Sequence, residues 1–194
     1  MLKEEITEIL ENTGAILKGH FKLSSGKHSD TYIQCARVLM YPEISEKLCS
    51  LLSEKVKKAT HEIDLVVSPA MGGLVIGYEI ARQLGVPQIF CERVDGKFEF
   101  RRGFEIPKNA NILIVEDVVT TAKSSFETIE AIKEAGGNPI AEACLIDRSS
   151  GEHNLPFPLV SLLELNVATY DADNLPEHLQ SIEAIKPGSR FLKN

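Results

Sequence analysis

The chain has 194 residues, which is most simply one domain with room for a sizeable core. Its apolar fraction of 43% and charged fraction of 25% are ordinary for a globular protein. With 21 basic and 28 acidic residues the formal charge is -7, which argues against general binding to nucleic acids or anionic membranes. The N-terminus does not read as a signal peptide and no apolar run has the length of a membrane span, so we expect a cytoplasmic protein.

The first half of the chain alternates between helix and strand patterns. Apolar residues recur at helical spacing in residues 2–12 and again in 43–59. Between these helices lies a segment rich in Gly, Ser and His that becomes strand-like from Thr31. A short apolar strand at 63–67 runs into SPAMGG and then into a helix that ends at Gly85, a favourable residue after a helix C-terminus.

The second half continues the alternation. Residues 92–108 predict a hairpin or a mobile loop, because Asp95-Gly96 is a strong two-residue turn signal. The other predicted elements are, in chain order, a strand at 86–91, a strand at 112–115, a helix closed by Gly136-Gly137, and strands at 140–146 and 159–165. Short apolar strands separated by helices predict an α/β fold with a parallel sheet flanked by helices.

Four cysteines occur without zinc-site or redox spacing: Cys35, Cys49, Cys91 and Cys144. We expect buried, reduced thiols.

The stretch ILIVEDVVTTAKSS, residues 112–125, is the most informative. A buried strand leads to Glu116-Asp117, then to a hydroxyl-rich turn and a helix start. In parallel α/β sheets, ligands bind beyond the carboxyl ends of the strands, and helix N-termini favour phosphate. Two carboxylates beside an anion site suit ribose hydroxyls or a divalent metal, although Asp117 could instead cap the helix with Glu116 solvated. The stretch therefore favours a ligand that carries both ribose and phosphate.

Residues 115–124, VEDVVTTAKS, resemble the phosphoribosyl pyrophosphate (PRPP) signature of type I phosphoribosyltransferases. Within that family, GHFKLSSGKHSDTYIQ at 19–34 resembles the hood segment of members that use orotate. SPAMGG at 68–73 resembles their pyrophosphate loop, and the cationic segment 92–102 resembles their mobile catalytic loop. Asp147-Arg148 at the end of a strand matches the position of the arginine that these members use on orotate.

The resemblance implies a type I phosphoribosyltransferase fold in one domain, 1–194, with a small hood mainly from residues 1–40 and a core of about 41–165. It implies a pyrimidine-synthesis enzyme that transfers the phosphoribosyl group from PRPP to orotate with Mg²⁺. It also implies a homodimer whose mobile loop is shared across the interface. Neither a nucleic acid nor a membrane is expected as a partner.

Family roles transfer to matching positions of this sequence. The residues implied for PRPP are Glu116, Asp117, Val118, Val119, Thr120, Thr121, Ala122, Lys123, Ser124, Ala70, Met71 and Gly72, with a cis peptide expected at Ala70–Met71. Those implied for catalysis are Asp117, Arg93, Lys97, Arg101 and Arg102. Those implied for orotate are Thr120, Arg148, Ser25, Gly26 and Tyr32. The Mg²⁺ ion would be held mainly through PRPP, with Glu116 and Asp117 able to contact it via water.

Two other functions fit parts of the pattern. A phosphoribosyltransferase for a purine base would leave Arg148 without its anion. A non-catalytic, PRPP-sensing regulator that binds nucleic acid is opposed by the net charge of -7. The sequence also departs from the family pattern: Ser24 replaces a lysine, Ala122 replaces a glycine, and the cationic loop lacks the usual lysine-rich pattern.

Overall fold

A computed structural model describes residues 1–23 and 25–187. The helices in these residues are α1 (Lys3–Asn12), α2 (Ala36–Leu39), α3 (Pro42–Ala59), α4 (Gly73–Leu84), α5 (Lys123–Glu134) and α6 (Glu177–Gln180). The strands are β1 (Ile16–Lys22), β2 (His28–Ile33), β3 (Leu65–Pro69), β4 (Gln88–Val94), β5 (Lys97–Phe100), β6 (Asn111–Val119), β7 (Asn138–Asp147) and β8 (Leu159–Glu164). None of the described helices is long and apolar enough to cross a membrane.

The main sheet has the strand order β5-β4-β3-β6-β7-β8. All neighbouring strands run parallel except β5, which pairs antiparallel with β4. β3 is buried along its whole length, as expected for a strand covered on both faces. The predicted α/β class with a parallel sheet is confirmed.

Helices cover both faces of this sheet. Ile129 and Ile132 of α5 pack with Leu65, Val67 and Ile112 from the strands. Side chains alternate along a strand, and Ser68 accordingly faces the α4 side, where it lies close to Gly73. Helices α3 and α4 pack together there.

The chain divides into two compact units. The large unit, Leu39–Leu165, contains the main sheet. The small unit combines Met1–Val38 with the described part of Asn166–Asn194. Within it, β1 and β2 form an antiparallel pair, and bridges join Phe21 to Ile185 and His28 to Tyr170.

A buried histidine pair helps to hold the small unit together. His20 Nδ1 donates to the Ile182 carbonyl oxygen over 2.7 Å, and its Nε2 lies 2.6 Å from His28 Nδ1. Because the carbonyl can only accept, a neutral His20 has an unprotonated Nε2, and His28 Nδ1 must then be the donor. His28 is therefore a structural residue of this unit.

Some elements differ from the sequence predictions, and the short helices α2 and α6 were not predicted. Strand β1 was not predicted, because ILKGHFK does not alternate regularly: Leu17 is exposed, whereas the adjacent His20 and Phe21 are both buried. Strand β6 extends to Val119, so Glu116-Asp117 lies within the strand and not after it. Residues 92–102 form the β4–β5 hairpin, one of the two predicted alternatives.

Candidate active site

The acid pair Glu116-Asp117 occupies the carboxyl end of β6. The Asp117 N–H donates to Glu116 Oε1 over 3.1 Å, and the Val118 N–H donates to Asp117 Oδ1 over 2.9 Å. Burial and then the neighbouring Asp117 charge raise the pKa of Glu116 well above its usual range. A cation or a set of hydroxyl donors would relieve this crowding of negative charge.

The SPAMGG loop packs directly on the acid pair. A Cβ atom added to Gly72 would lie 2.6 Å from Asp117 Oδ1 and 3.0 Å from Glu116 Oε1. Gly72 has an ordinary φ of -57°, so glycine is needed here for space and not for conformation. The Ala70–Met71 peptide is cis, which confirms the prediction for that bond. The structure thus brings together two segments that the sequence separates by more than forty residues.

The turn before α5 leaves backbone amides open to a ligand. Ala122 is the N-cap residue of α5 and makes no side-chain cap hydrogen bond. The first-turn N–H groups of a helix have no partner within the helix and favour an anion. Thr120, Thr121 and Ser124 are exposed around these amides, and Lys123 extends into solvent toward Glu127 at 4.0 Å. This geometry suits a phosphate group.

Arg148 follows β7 directly and lies beside the end of β6. Its N–H donates to the Val119 carbonyl oxygen over 2.8 Å. Burial lowers the pKa of its guanidinium, and within the described chain the buried Nε has no hydrogen-bond partner. A half-buried guanidinium in this condition is suited to a carboxylate, which it can bind in bidentate fashion.

The four cations of the β4–β5 hairpin fall into two kinds. Arg93 pairs with Glu127 of α5 and stacks over Phe98 at 4.3 Å. Arg102 donates to both oxygens of Glu92, over 3.0 and 2.8 Å. Lys97 and Arg101 are exposed, and neither takes part in an ion pair among the described residues.

The remaining orotate candidates lie in the small unit. Ser25 and Gly26 form the turn between β1 and β2, with Gly26 at a φ of 86°. Tyr32 stacks at 5.6 Å from Phe21. Ser24, the departure from the family pattern, is outside the described residues. The roles of Ser25, Gly26 and Tyr32 toward orotate stay predictions.

One acidic residue near this site was not predicted. Glu142 of β7 is fully buried and accepts a hydrogen bond from Ser125 Oγ over 2.8 Å. Burial chiefly raises its pKa, to about 7. A single acid inside the apolar run IAEACLI is the sequence signal that could have identified it.

Comparisons with known proteins identify the family. The family model described as "Phosphoribosyl transferase domain" matches residues 37–181. An orotate phosphoribosyltransferase of Bartonella henselae is 50% identical over 191 residues, covering 98% of this chain and 99% of that protein. One of Sphingopyxis alaskensis is 52% identical over 192 residues, covering 98% of each. The crystal structure of an orotate phosphoribosyltransferase from Aeropyrum pernix superposes with a TM-score of 0.67 at 27% identity, covering 82% of this chain and 93% of that one.

Proposed function

The chain belongs to the orotate phosphoribosyltransferase family, and from that premise we propose how its site performs the reaction. The enzyme transfers the 5-phosphoribosyl group of PRPP to orotate and yields orotidine 5′-monophosphate and pyrophosphate, a step of pyrimidine synthesis. The residue assignments below are our proposal, and each is argued from the contacts of the described residues.

PRPP is held by three neighbouring segments in this proposal. Glu116 and Asp117 bind the ribose hydroxyls, and residues 118–124 surround the 5′-phosphate with amides and hydroxyls. The backbone of Ala70, Met71 and Gly72 faces the pyrophosphate. The close approach of Gly72 to both carboxylates supports this arrangement, because it places ribose and pyrophosphate contacts side by side.

The acid pair also fits Mg²⁺. This ion usually takes one or two protein carboxylates and completes its shell with water and substrate phosphates. The described residues contain no cluster of three or more possible ligands, so PRPP itself would supply most of the coordination. Glu116 and Asp117 would contact the ion directly or through water. When bound, Mg²⁺ neutralises charge on the pyrophosphate group.

The protein contributes mainly positioning and positive charge. Displacement at the anomeric carbon builds cation-like character on the ribose while pyrophosphate gains negative charge. Asp117, next to the ribose, stabilises the positive charge. Among the described residues, Arg93 and Arg102 would have to break an ion pair to reach the pyrophosphate. Lys97 and Arg101 form no ion pair with these residues. We therefore assign the leaving group chiefly to Lys97 and Arg101.

The observation that carries the choice of base is the guanidinium of Arg148. Its buried Nε lacks a partner within the described residues, and burial disfavours its charge. The orotate carboxylate would supply the missing anion, with Thr120 beside it. A neutral purine would leave the guanidinium unpaired, which is costly in a buried position.

A substrate survey and one substitution test this choice. The wild-type enzyme with PRPP and Mg²⁺ should consume orotate and not uracil, adenine, guanine or hypoxanthine. Arg148→Ala should raise the orotate KM by roughly 10- to 100-fold, the range expected for losing hydrogen bonds to a charged group, with a much smaller change in PRPP KM. Arg148→Lys keeps the positive charge but loses the bidentate geometry of the guanidinium. Its orotate KM should lie between those of the wild type and Arg148→Ala. Equal effects on both KM values would remove Arg148 from the base site.

We also propose that the enzyme is a homodimer. Val75 and Tyr78 lie three residues apart on one face of α4 and are exposed by 52% and 67%, and Met71, in the loop just before the helix, is exposed by 80%. An exposed apolar stripe of this kind marks an interaction surface, and a symmetric pair of copies is the commonest solution. A hairpin shared across the interface and a cytoplasmic location stay predictions from the sequence.

A further inference from the structure

Glu142 is an acid enclosed in the core, close to the turn at residues 118–124 that is assigned above to the 5′-phosphate. It lies in the middle of β7 with an exposed fraction of 0%, between the fully buried Ala141 and Ala143. An enclosed carboxyl group destabilises a protein unless hydrogen bonds compensate for the loss of water. The residues assigned above to PRPP and orotate do not include it, so its position calls for a separate explanation.

The hydrogen bond of Glu142 reaches the first turn of α5. Ser125 Oγ donates to Oε1 over 2.8 Å, while Oε2 has no partner among the described residues. Ser125 is the third residue of α5 and is itself 3% exposed. Ala122 provides no side-chain cap, and the Ser125–Glu142 hydrogen bond ties this turn to the sheet.

We propose that Glu142 is a positioning residue of the PRPP site: through Ser125 it fixes the first turn of α5, so that the amides of that turn face the 5′-phosphate. This inference rests on the proposed function, in which residues 118–124 bind the 5′-phosphate. Small displacements of positioning groups are costly in an active site, because the bound ligand then leaves its reactive geometry. Glu142 would act through the turn and would not touch PRPP.

The charges around Glu142 give this link a pH dependence. Glu116 on β6 and Asp147 on β7 are the acidic groups that interact with it through charge. Helix α5 presents Ser125 to Glu142, and the charged residues of α5 are exposed or partly exposed. The charged residue of β8, Glu164, is exposed. The loop before β8 adds apolar side chains to this face of the sheet.

A phosphate at the turn would bring more negative charge toward this acid. Burial raises the pKa of Glu142 to about 7, the Ser125 bond opposes the rise, and Asp147 adds to it. PRPP should therefore bind best while Glu142 is neutral, and binding above pH 7 should take up protons. As pH rises through this range, affinity for PRPP should fall.

Binding calorimetry with PRPP and Mg²⁺, without orotate, tests the proposal in the wild-type enzyme and in variants. Glu142→Ala and Ser125→Ala should each weaken PRPP binding by about tenfold at pH 6.5, since both break the link that orients the turn. Glu142→Gln retains an acceptor and no charge, so it should bind PRPP within about twofold of wild type at that pH. It should also lose the part of the pH dependence, and of the proton uptake, that appears above pH 7 in the wild type. Ile132→Val, a buried change farther along α5, is the matched control and should leave PRPP binding unchanged.

Urea unfolding gives a readout that does not depend on ligand. A carboxyl whose pKa is raised in the folded state stabilises the fold below its unfolded pKa, and that contribution is lost as pH rises through the folded value. Between pH 5 and 8 the wild-type midpoint should therefore fall relative to that of Glu142→Gln. The inference would be overturned if the urea midpoints of wild type and Glu142→Gln changed with pH in parallel. Equal PRPP binding by Glu142→Ala, Ser125→Ala and Ile132→Val would also overturn it. A wild type that binds PRPP but does not use orotate would refute only the choice of base.

Discussion

Ala122 has a backbone conformation that usually belongs to glycine. Its φ is 56° and its ψ is 18°, which costs about 1–2 kcal/mol for a residue with a side chain. Two terms offset this cost. The Ala122 side chain is 4% exposed and packs with Val119 and Cys144, and burial of one methyl group contributes about 0.8 kcal/mol. Alanine also gives the unfolded chain less conformational entropy than glycine does, which stabilises the folded state by about 0.4–1 kcal/mol.

The balance predicts the effect of two substitutions at this position. Ala122→Gly should change the free energy of unfolding by less than about 1 kcal/mol, because the strain it relieves is matched by lost burial and added chain entropy. Ala122→Val should destabilise by more than about 2 kcal/mol, since a β-branched side chain is disfavoured at positive φ and overfills the cluster. Urea unfolding of the three proteins measures both. A large gain from Ala122→Gly would mean that the methyl group contributes no packing.

The sequence indicates some of the residues discussed here and not others, for a physical reason. The acid pair and the hydroxyl-rich turn at 118–124 belong to one short contiguous motif, so they can be found locally, and their roles toward PRPP stay predictions. The cis peptide at Ala70–Met71, expected from the family resemblance, is present. The partner of Glu142 lies 17 residues away on α5, and that of Arg93 lies 34 residues away. Such pairs exist only after the sheet has been assembled, and no spacing rule indicates them.

At the scale of elements, hairpin β4–β5 holds its cations in two different states. Arg93 links the hairpin to α5 through Glu127, and Arg102 lies over Phe90 at 5.5 Å while it binds Glu92. Such exposed ion pairs contribute at most about 1 kcal/mol, so their main effect is to orient the side chains. Lys97 and Arg101 carry no such constraint within the described chain.

Alanine substitutions should separate these roles. Lys97→Ala and Arg101→Ala should each lower kcat by at least about tenfold, because the departing pyrophosphate loses a compensating charge. Arg102→Ala should lower kcat by less than about threefold, since exposed ion pairs of this kind contribute little. Steady-state kinetics at saturating PRPP and orotate measures these changes, and thermal melting checks that each variant is folded. If Arg102→Ala has the largest effect on kcat, the assignment of the leaving group is wrong.

Element boundaries were less predictable than element types. The helices α1, α3, α4 and α5 appear where apolar spacing placed them, because each buries one face. Strand β6 is longer than predicted, since its pairing with β7 continues as far as Val119 and Asp147. That extension includes the acids in the sheet, where pairing with β7 fixes their backbone.

At the scale of the whole molecule, the apolar stripe of α4 predicts the assembly state. Tyr78→Glu places a charge in the proposed interface between two copies and should convert a dimer to a monomer at micromolar concentration. Glu130→Lys, on the exposed side of α5, is the control and should remain dimeric. Sedimentation velocity measures the state of each protein. A monomeric wild type would contradict the proposed homodimer, and unchanged activity in monomeric Tyr78→Glu would exclude a hairpin shared between subunits.

The buried cysteines give this protein internal reporters of its own opening. Cys35 lies in the small unit, whereas Cys49, Cys91 and Cys144 lie in the large unit, and none forms a disulfide. Burial raises the pKa of Cys49 to about 12 and that of Cys91 to about 11, so the reactive thiolate is scarce while the fold is closed. A thiol reagent would therefore label each cysteine only as fast as its surroundings open. Mass spectrometry of the labelled peptides would then time the opening of the two units separately, without any engineered probe.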